Sequence, residues 1–148
     1  MTDTLTQAKL GHPHISEAEW RLMRVVWTQP GITSRQLIDT LSDSTDWKVG
    51  TIKSLLSRLI QKGYLDKAQD TSPFQFHATI SQEEAALGRL QAALEPICTK
   101  SRARYLAHLL ATNPLSQADC QALIDQLQEQ IKTAPQAVAC QCPPGACQ

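Results

Sequence analysis

Apolar residues recur at helical spacing in three successive segments, and the chain then turns to a short alternating stretch. Ser16, Glu17, Ala18 and Glu19 read as a capping box, with Ala18, Leu22, Val25 and Val26 following on one face. Pro30 and Gly31 end that helix. Thr33, Ser34, Arg35 and Gln36 open a second one, carrying Leu37, Ile38 and Leu41, and the polar run 42–46 closes it. The spacing of Val49, Ile52, Leu55, Leu56, Leu59 and Ile60 predicts a third helix over 48–62, stopped by Gly63. Two strand-like runs, 64–67 and 74–79, flank a polar tip, and Phe74, Phe76 and Ala78 alternate with Gln75, His77 and Thr79.

Further along, Ser81 and Glu84 form another capping box ahead of Leu87, Leu90, Leu94 and Ile97, and Pro96 kinks or ends that helix. Tyr105, Leu106, Leu109 and Leu110 mark a fifth helix broken at Asn113 and Pro114, and Cys120, Ile124, Leu127 and Ile131 share the stripe of a sixth. Such narrow stripes are satisfied by a partner helix, which predicts dimerisation through 81–132. The fold class is mostly α: a winged helix-turn-helix of three helices plus a two-stranded wing, followed by a C-terminal helical dimerisation region. The predicted domains are a flexible N-terminal arm at 1–14, a winged-helix DNA-binding domain at 15–80, the dimerisation region at 81–132 and a cysteine-rich metal-binding tail at 133–148.

Composition narrows the function. With 148 residues, 42% of them hydrophobic, the chain is long enough for one core and a smaller helical unit. The sequence has no apolar run of membrane-spanning length and no secretory leader pattern, so a cytoplasmic protein is expected. The formal net charge is zero, so only local charge can favour nucleic acid. The third helix supplies it: Lys48, Thr51, Lys53, Ser54, Ser57, Arg58 and Lys62 lie off its apolar stripe, with no acidic residue among them. Such side chains neutralise phosphates and read base edges in a major groove. No nucleophile–base pair, phosphate loop or carboxylate pair stands at a telling spacing, which argues against an enzyme.

Several of these segments resemble one family. Ile15-Ser16-Glu17-Ala18-Glu19-Trp20, Asp46-Trp47, and Thr51-Ile52-Lys53-Ser54-Leu55-Leu56-Ser57-Arg58-Leu59-Ile60-Gln61-Lys62-Gly63 are similar to the penicillinase-repressor (BlaI/MecI) family, over roughly residues 14 to 132. The resemblance implies a homodimeric repressor on double-stranded palindromic operator DNA. Thr51, Ser54 and Arg58 are then the leading operator contacts, with Lys48, Lys53 and Ser57 beside them. Val49 and Gly50 depart from the Pro-Lys that members often carry before the threonine, so a lysine contact is missing there.

The tail decides the branch. Cys140, Cys142 and Cys147 place three soft donors around Pro143, Pro144 and Gly145, residues that favour a turn. Soft thiolates select Cu(I) and Zn(II). The arrangement resembles the CopY-type copper-responsive branch, whose members end in Cys-x-Cys-x4-Cys-x-Cys; Gln148 follows Cys147 here, so the last cysteine is missing. Three thiolates suit Cu(I), whereas Zn(II) wants a fourth donor. The resemblance thus implies a copper-responsive repressor of copper-homeostasis genes, released when Cu(I) binds. Zn(II) is a candidate occupant of the repressing form and a copper chaperone a candidate metal donor.

Cys98 and Cys120 are expected to be buried core thiols, His12 and His14 are weak candidate ligands, and Trp20, Trp27 and Trp47 are expected core aromatics. Two alternatives remain. One is a β-lactam-type repressor without metal sensing. It is disfavoured because that branch is cut at an Asn-Phe bond, and the only asparagine here, Asn113, precedes Pro114. The other is a thiol metal-buffering or redox protein.

Overall fold

The computed structural model describes residues 14–147. The expected N-terminal arm and His12 therefore lie outside the described residues, apart from His14. The chain divides into two compact units, whose boundary falls between Gln91 and Ala92.

The first unit is built by its caps. Helix α1, Glu17–Thr28, starts where the Ser16 hydroxyl accepts the Glu19 N–H at 3.2 Å. Strand β1, Ile32–Thr33, leads directly into α2, Ser34–Ser44, and Thr33 and Gln36 close a reciprocal capping box. Helix α3 spans Val49–Gln61. It ends in a Schellman motif: Gly63, at φ 84°, donates to the Ile60 carbonyl, and Tyr64 donates to that of Leu59. A left-handed residue is required there, which is the role of glycine.

The Schellman turn feeds β2, Leu65–Ala68, which pairs antiparallel with β3, Gln75–Ala78. The ribbon expected from the sequence is thus present, but the sheet has three strands in the order β1-β3-β2, with Ile32 opposite Phe76. A two-residue strand shows no periodicity and could not be read in advance.

Leu22, Met23 and Val26 of α1, Leu37 and Leu41 of α2, and Ile52, Leu55, Leu56 and Leu59 of α3 meet Leu65 and Phe76 in one core. Val49, 45% exposed, and Ile60 fall outside the stripe expected for them. Phe74 also points out at the wing tip, with the Lys67 ammonium 4.0 Å from its ring centre. Trp27 and Trp47 pack partly buried against the core; Trp27 donates to the Ile80 carbonyl and meets Trp20 edge-on.

Among the described residues of this unit, one charged side chain is buried. Glu19 is 1% exposed, and both its oxygens accept from Lys62 Nζ, at 2.8 and 2.9 Å. Lys62 also donates to the His14 carbonyl. It therefore turns toward α1, not toward the hydroxyl-rich face where the sequence grouped it. Burial pushes the Glu19 carboxyl up, but hydrogen bonds from Lys62 and Ser16 and the Lys62 charge outweigh it and leave the pKa below the ordinary value.

Helix α4, Gln82–Leu94, begins at the Ser81–Glu84 box. Its first turns belong to the first unit: Ala85 is buried, and Arg89 pairs with Glu17 and lies over the Trp20 ring. In the second unit, α5, Thr99–Thr112, and α6, Gln117–Ile131, bury no residue at all. Their apolar stripes are open, Ile131 at 74% exposure being the extreme. Cys120 is exposed on α6 and not a core thiol, because among the described residues none buries any position of α6.

Lys62→Met, which strands the Glu19 carboxylate, is expected to cost about 3 kcal/mol in urea unfolding. A loss below about 1 kcal/mol would place the pair among ordinary surface bridges. Because the Glu19 pKa is lowered on folding, its stabilisation is complete above about pH 4.3, the ordinary glutamate value, and fades as pH falls through the folded pKa.

Candidate functional site

Two groups of side chains stand out, one in each unit. On α3, burial of Ile52, Leu55, Leu56 and Leu59 turns the opposite face outward, and Thr51, Lys53, Ser54, Ser57 and Arg58 are all exposed. Lys48 caps the helix without a side-chain bond, so its ammonium is not used in closing the N-terminus. Lys53, Ser54, Ser57 and Arg58 line a shallow depression of about 380 Å³ together with Gln61, which the sequence did not single out. A second concavity, about 680 Å³, lies between the start of α2 and the wing tip, lined by Thr33, Ser34, Arg35 and residues 69 and 71–74. Arg35 brings a guanidinium to this concavity; capping chemistry alone had explained its segment.

The second group is the thiols. Cys140, Cys142 and Cys147 come together as the tail spacing suggested, and Cys98 joins them: the four Sγ atoms lie within 4.8 Å of one another. Cys98 Sγ is 3.6 Å from that of Cys140 and 3.8 Å from that of Cys147. Cys98 is thus not the core thiol expected from its neighbourhood. It stands at the N-cap of α5, half-buried, and makes no side-chain cap bond, which leaves its sulfur to turn toward the tail.

The tail returns because Ala146 donates to the Pro143 carbonyl across a turn with Pro144 second and Gly145, φ 82°, third. Nothing crowds a side chain at Gly145, so backbone conformation is what glycine supplies there. On the other side, Arg102 donates to the carbonyls of Glu95 and Ile97 and steadies the segment that delivers Cys98.

The donor set fits a soft tetrahedral ion. Zinc–sulfur bonds near 2.3 Å require sulfur–sulfur separations of about 3.8 Å, close to those found here. The three tail thiols also titrate as a set. The Cys142 N–H donates to Cys140 Sγ at 3.3 Å and, with hydrogen bonds from the Cys147, Cys142 and Cys98 thiols, lowers the Cys140 pKa to about 7. Hydrogen bonding to Cys98, then to Cys140, pushes Cys142 up to about 12, and the bond to Cys140 raises Cys147. Within the tail the thiolate is therefore favoured at Cys140, and an arriving cation has to displace the protons of Cys142 and Cys147. Among the described residues, no histidine or carboxylate joins this cluster; His14 hydrogen-bonds Tyr64 and Lys62 through its backbone.

Residues 15–129 match the penicillinase repressor family. The chain belongs to that family. Penicillinase repressors are transcriptional regulators rather than enzymes, in keeping with the winged helix. A 16.5 kDa protein in the ptsI 3′ region of Latilactobacillus sakei is 38% identical over 133 residues, 90% of this chain and 91% of that one. MecI, the methicillin resistance regulatory protein of Mammaliicoccus sciuri, is 30% identical over 70 residues, and the penicillinase repressor of Bacillus licheniformis 33% over 72. These matches cover 47% and 49% of this chain, and 57% and 56% of those relatives. The solution structure of monomeric B. licheniformis BlaI with the blaP half-operator is 33% identical, covers 49% of this chain and 89% of its own, and superposes with a TM-score of 0.46. Among the described residues, no helix is long and apolar enough to cross a membrane.

Proposed function

We propose that this penicillinase-repressor family member is a copper-responsive transcriptional repressor. A homodimer binds a palindromic operator of copper-homeostasis genes and is released when Cu(I) binds the tail thiolates Cys140, Cys142 and Cys147. The observation that carries the metal reading is the gathering of these three thiols, with Cys98, within 4.8 Å of one another. Thiolates are the donors Cu(I) prefers, and two or three satisfy it.

In this reading residues 15–80 form the DNA-binding domain, 81–132 the dimerisation region and 133–148 the metal-binding tail. Helix α3 enters the major groove, with Arg58 and Thr51 at base edges and Lys48, Lys53, Ser54 and Ser57 on phosphates and bases. The exposure of all six side chains supports it. The open stripes of α5 and α6 support the dimer, since Leu109 and Leu127 are more than half exposed. Likeness to MecI covers under half of the chain and does not carry a β-lactam response to it.

Regulation requires Cu(I) to favour the conformation that binds operator less well. In a gel-shift titration with the chain's own upstream promoter, stoichiometric Cu(I) is expected to weaken binding at least tenfold, about 1.4 kcal/mol. Cys140→Ser is expected to stay bound. Unchanged binding of the parent with Cu(I), matched by the variant, contradicts the proposal. Leu109→Lys with Leu127→Lys is expected to shift sedimentation from dimer to monomer, and a dimer that survives both places the interface elsewhere.

A further inference from the structure

We propose that Cys98 is the fourth metal ligand, and that a borderline-soft divalent ion such as Zn(II), held by Cys98, Cys140, Cys142 and Cys147, closes a ring around both helices of the second unit. The inference rests on the metal-binding reading above and adds a donor from outside the tail.

Three observations carry it. The Sγ atom of Cys98 is as near its neighbours as the edge of a zinc–thiolate tetrahedron demands, at 3.6 Å from Cys140 and 3.8 Å from Cys147. Its position is built: the Ser101 N–H donates to the Cys98 carbonyl, Arg102 holds the carbonyls of Glu95 and Ile97, and the N-cap leaves the thiol free of the helix. Third, the cluster supplies four thiolates from one chain, so a tetrahedral ion needs no donor from water, histidine or a second subunit.

The consequence is topological. Cys98 precedes α5 and Cys140 follows α6, 42 residues later, and neither helix buries a residue. Linking these points restrains a long loop that its own packing leaves free, the circumstance in which a metal clip stabilises most. Each coordinated thiol loses its proton to solvent as the metal–sulfur bond forms, with no change of oxidation state. Zinc occupancy thereby becomes a restraint on the helices through which the dimer is proposed to form.

The test uses the reduced full-length chain, with Co(II) as spectroscopic probe and Zn(II) in competition. The parent is expected to bind one ion with tetrathiolate charge-transfer and tetrahedral visible bands, and Zn(II) to raise its thermal midpoint. In Cys98→Ser the charge-transfer intensity is expected to fall by about a quarter as four thiolates become three. Zinc affinity is expected to fall more than about a hundredfold, beyond the usual effect of losing an outer-shell partner, and the thermal shift to disappear. Cys120→Ser, altered at an exposed thiol outside the cluster, is expected to behave as the parent. In the unmutated chain, Zn(II) is expected to protect Cys98 from alkylation, a measurement independent of how any variant folds. A Cys98→Ser protein with parental spectrum and affinity, or Cys98 alkylated at the metal-free rate with zinc bound, overturns the assignment while leaving the tail as a metal site. Failure of the parent to bind metal overturns both, and the loss of copper-dependent release alone touches only the repressor mechanism.

Discussion

The seating of α3 is the constraint on which the rest of the first unit depends. Ile52, Leu55, Leu56 and Leu59 fill the centre of the core, so the rotation of the helix about its axis is decided by apolar burial. Once they point inward, Lys53, Ser54, Ser57 and Arg58 can only point outward. The positive face is therefore set by the core, and no charged group has to be held in place for it. At the far end, the Glu19–Lys62 pair ties α3 to α1 and removes one lysine from the exposed face. The Gly63 turn then aims the chain into the wing.

That dependence explains which features the sequence revealed. Caps and apolar period are local properties, and Ser16, Thr33 and Ser81 cap their helices as the sequence indicated. The direction of Lys62 is not local, since it depends on a carboxylate 43 positions earlier whose burial only the packed core reveals. Strand β1 escaped for a related reason, because its two residues become a strand only when β3 lies beside them.

Cys98 is the most consequential case. A thiol two residues after a proline, at a helix boundary, carries no metal-site signature, and its partners are some 42 to 49 residues away. The tail alone offered three donors and a deficit for zinc; the fold brings up the fourth. Cys120 erred in the opposite sense. Its apolar stripe suggested a core position, yet α6 presents that stripe to solvent, and a stripe that no neighbour covers is a surface awaiting a partner. Both errors came from taking a pattern within one helix as a statement about what lies across from it.

The central claim, that α3 holds operator DNA through its outward face, is tested most directly by the salt dependence of binding. Affinity for a fragment of the chain's own promoter would be measured by fluorescence anisotropy across a range of salt concentrations, for the parent and for Arg58→Ala. The account predicts a steep linear fall of log affinity with log salt for the parent, and a loss of about 1–3 kcal/mol per protomer for the variant, with a shallower slope if Arg58 contacts phosphate. Binding that ignores salt, or an Arg58→Ala protein with parental affinity and slope, would contradict it.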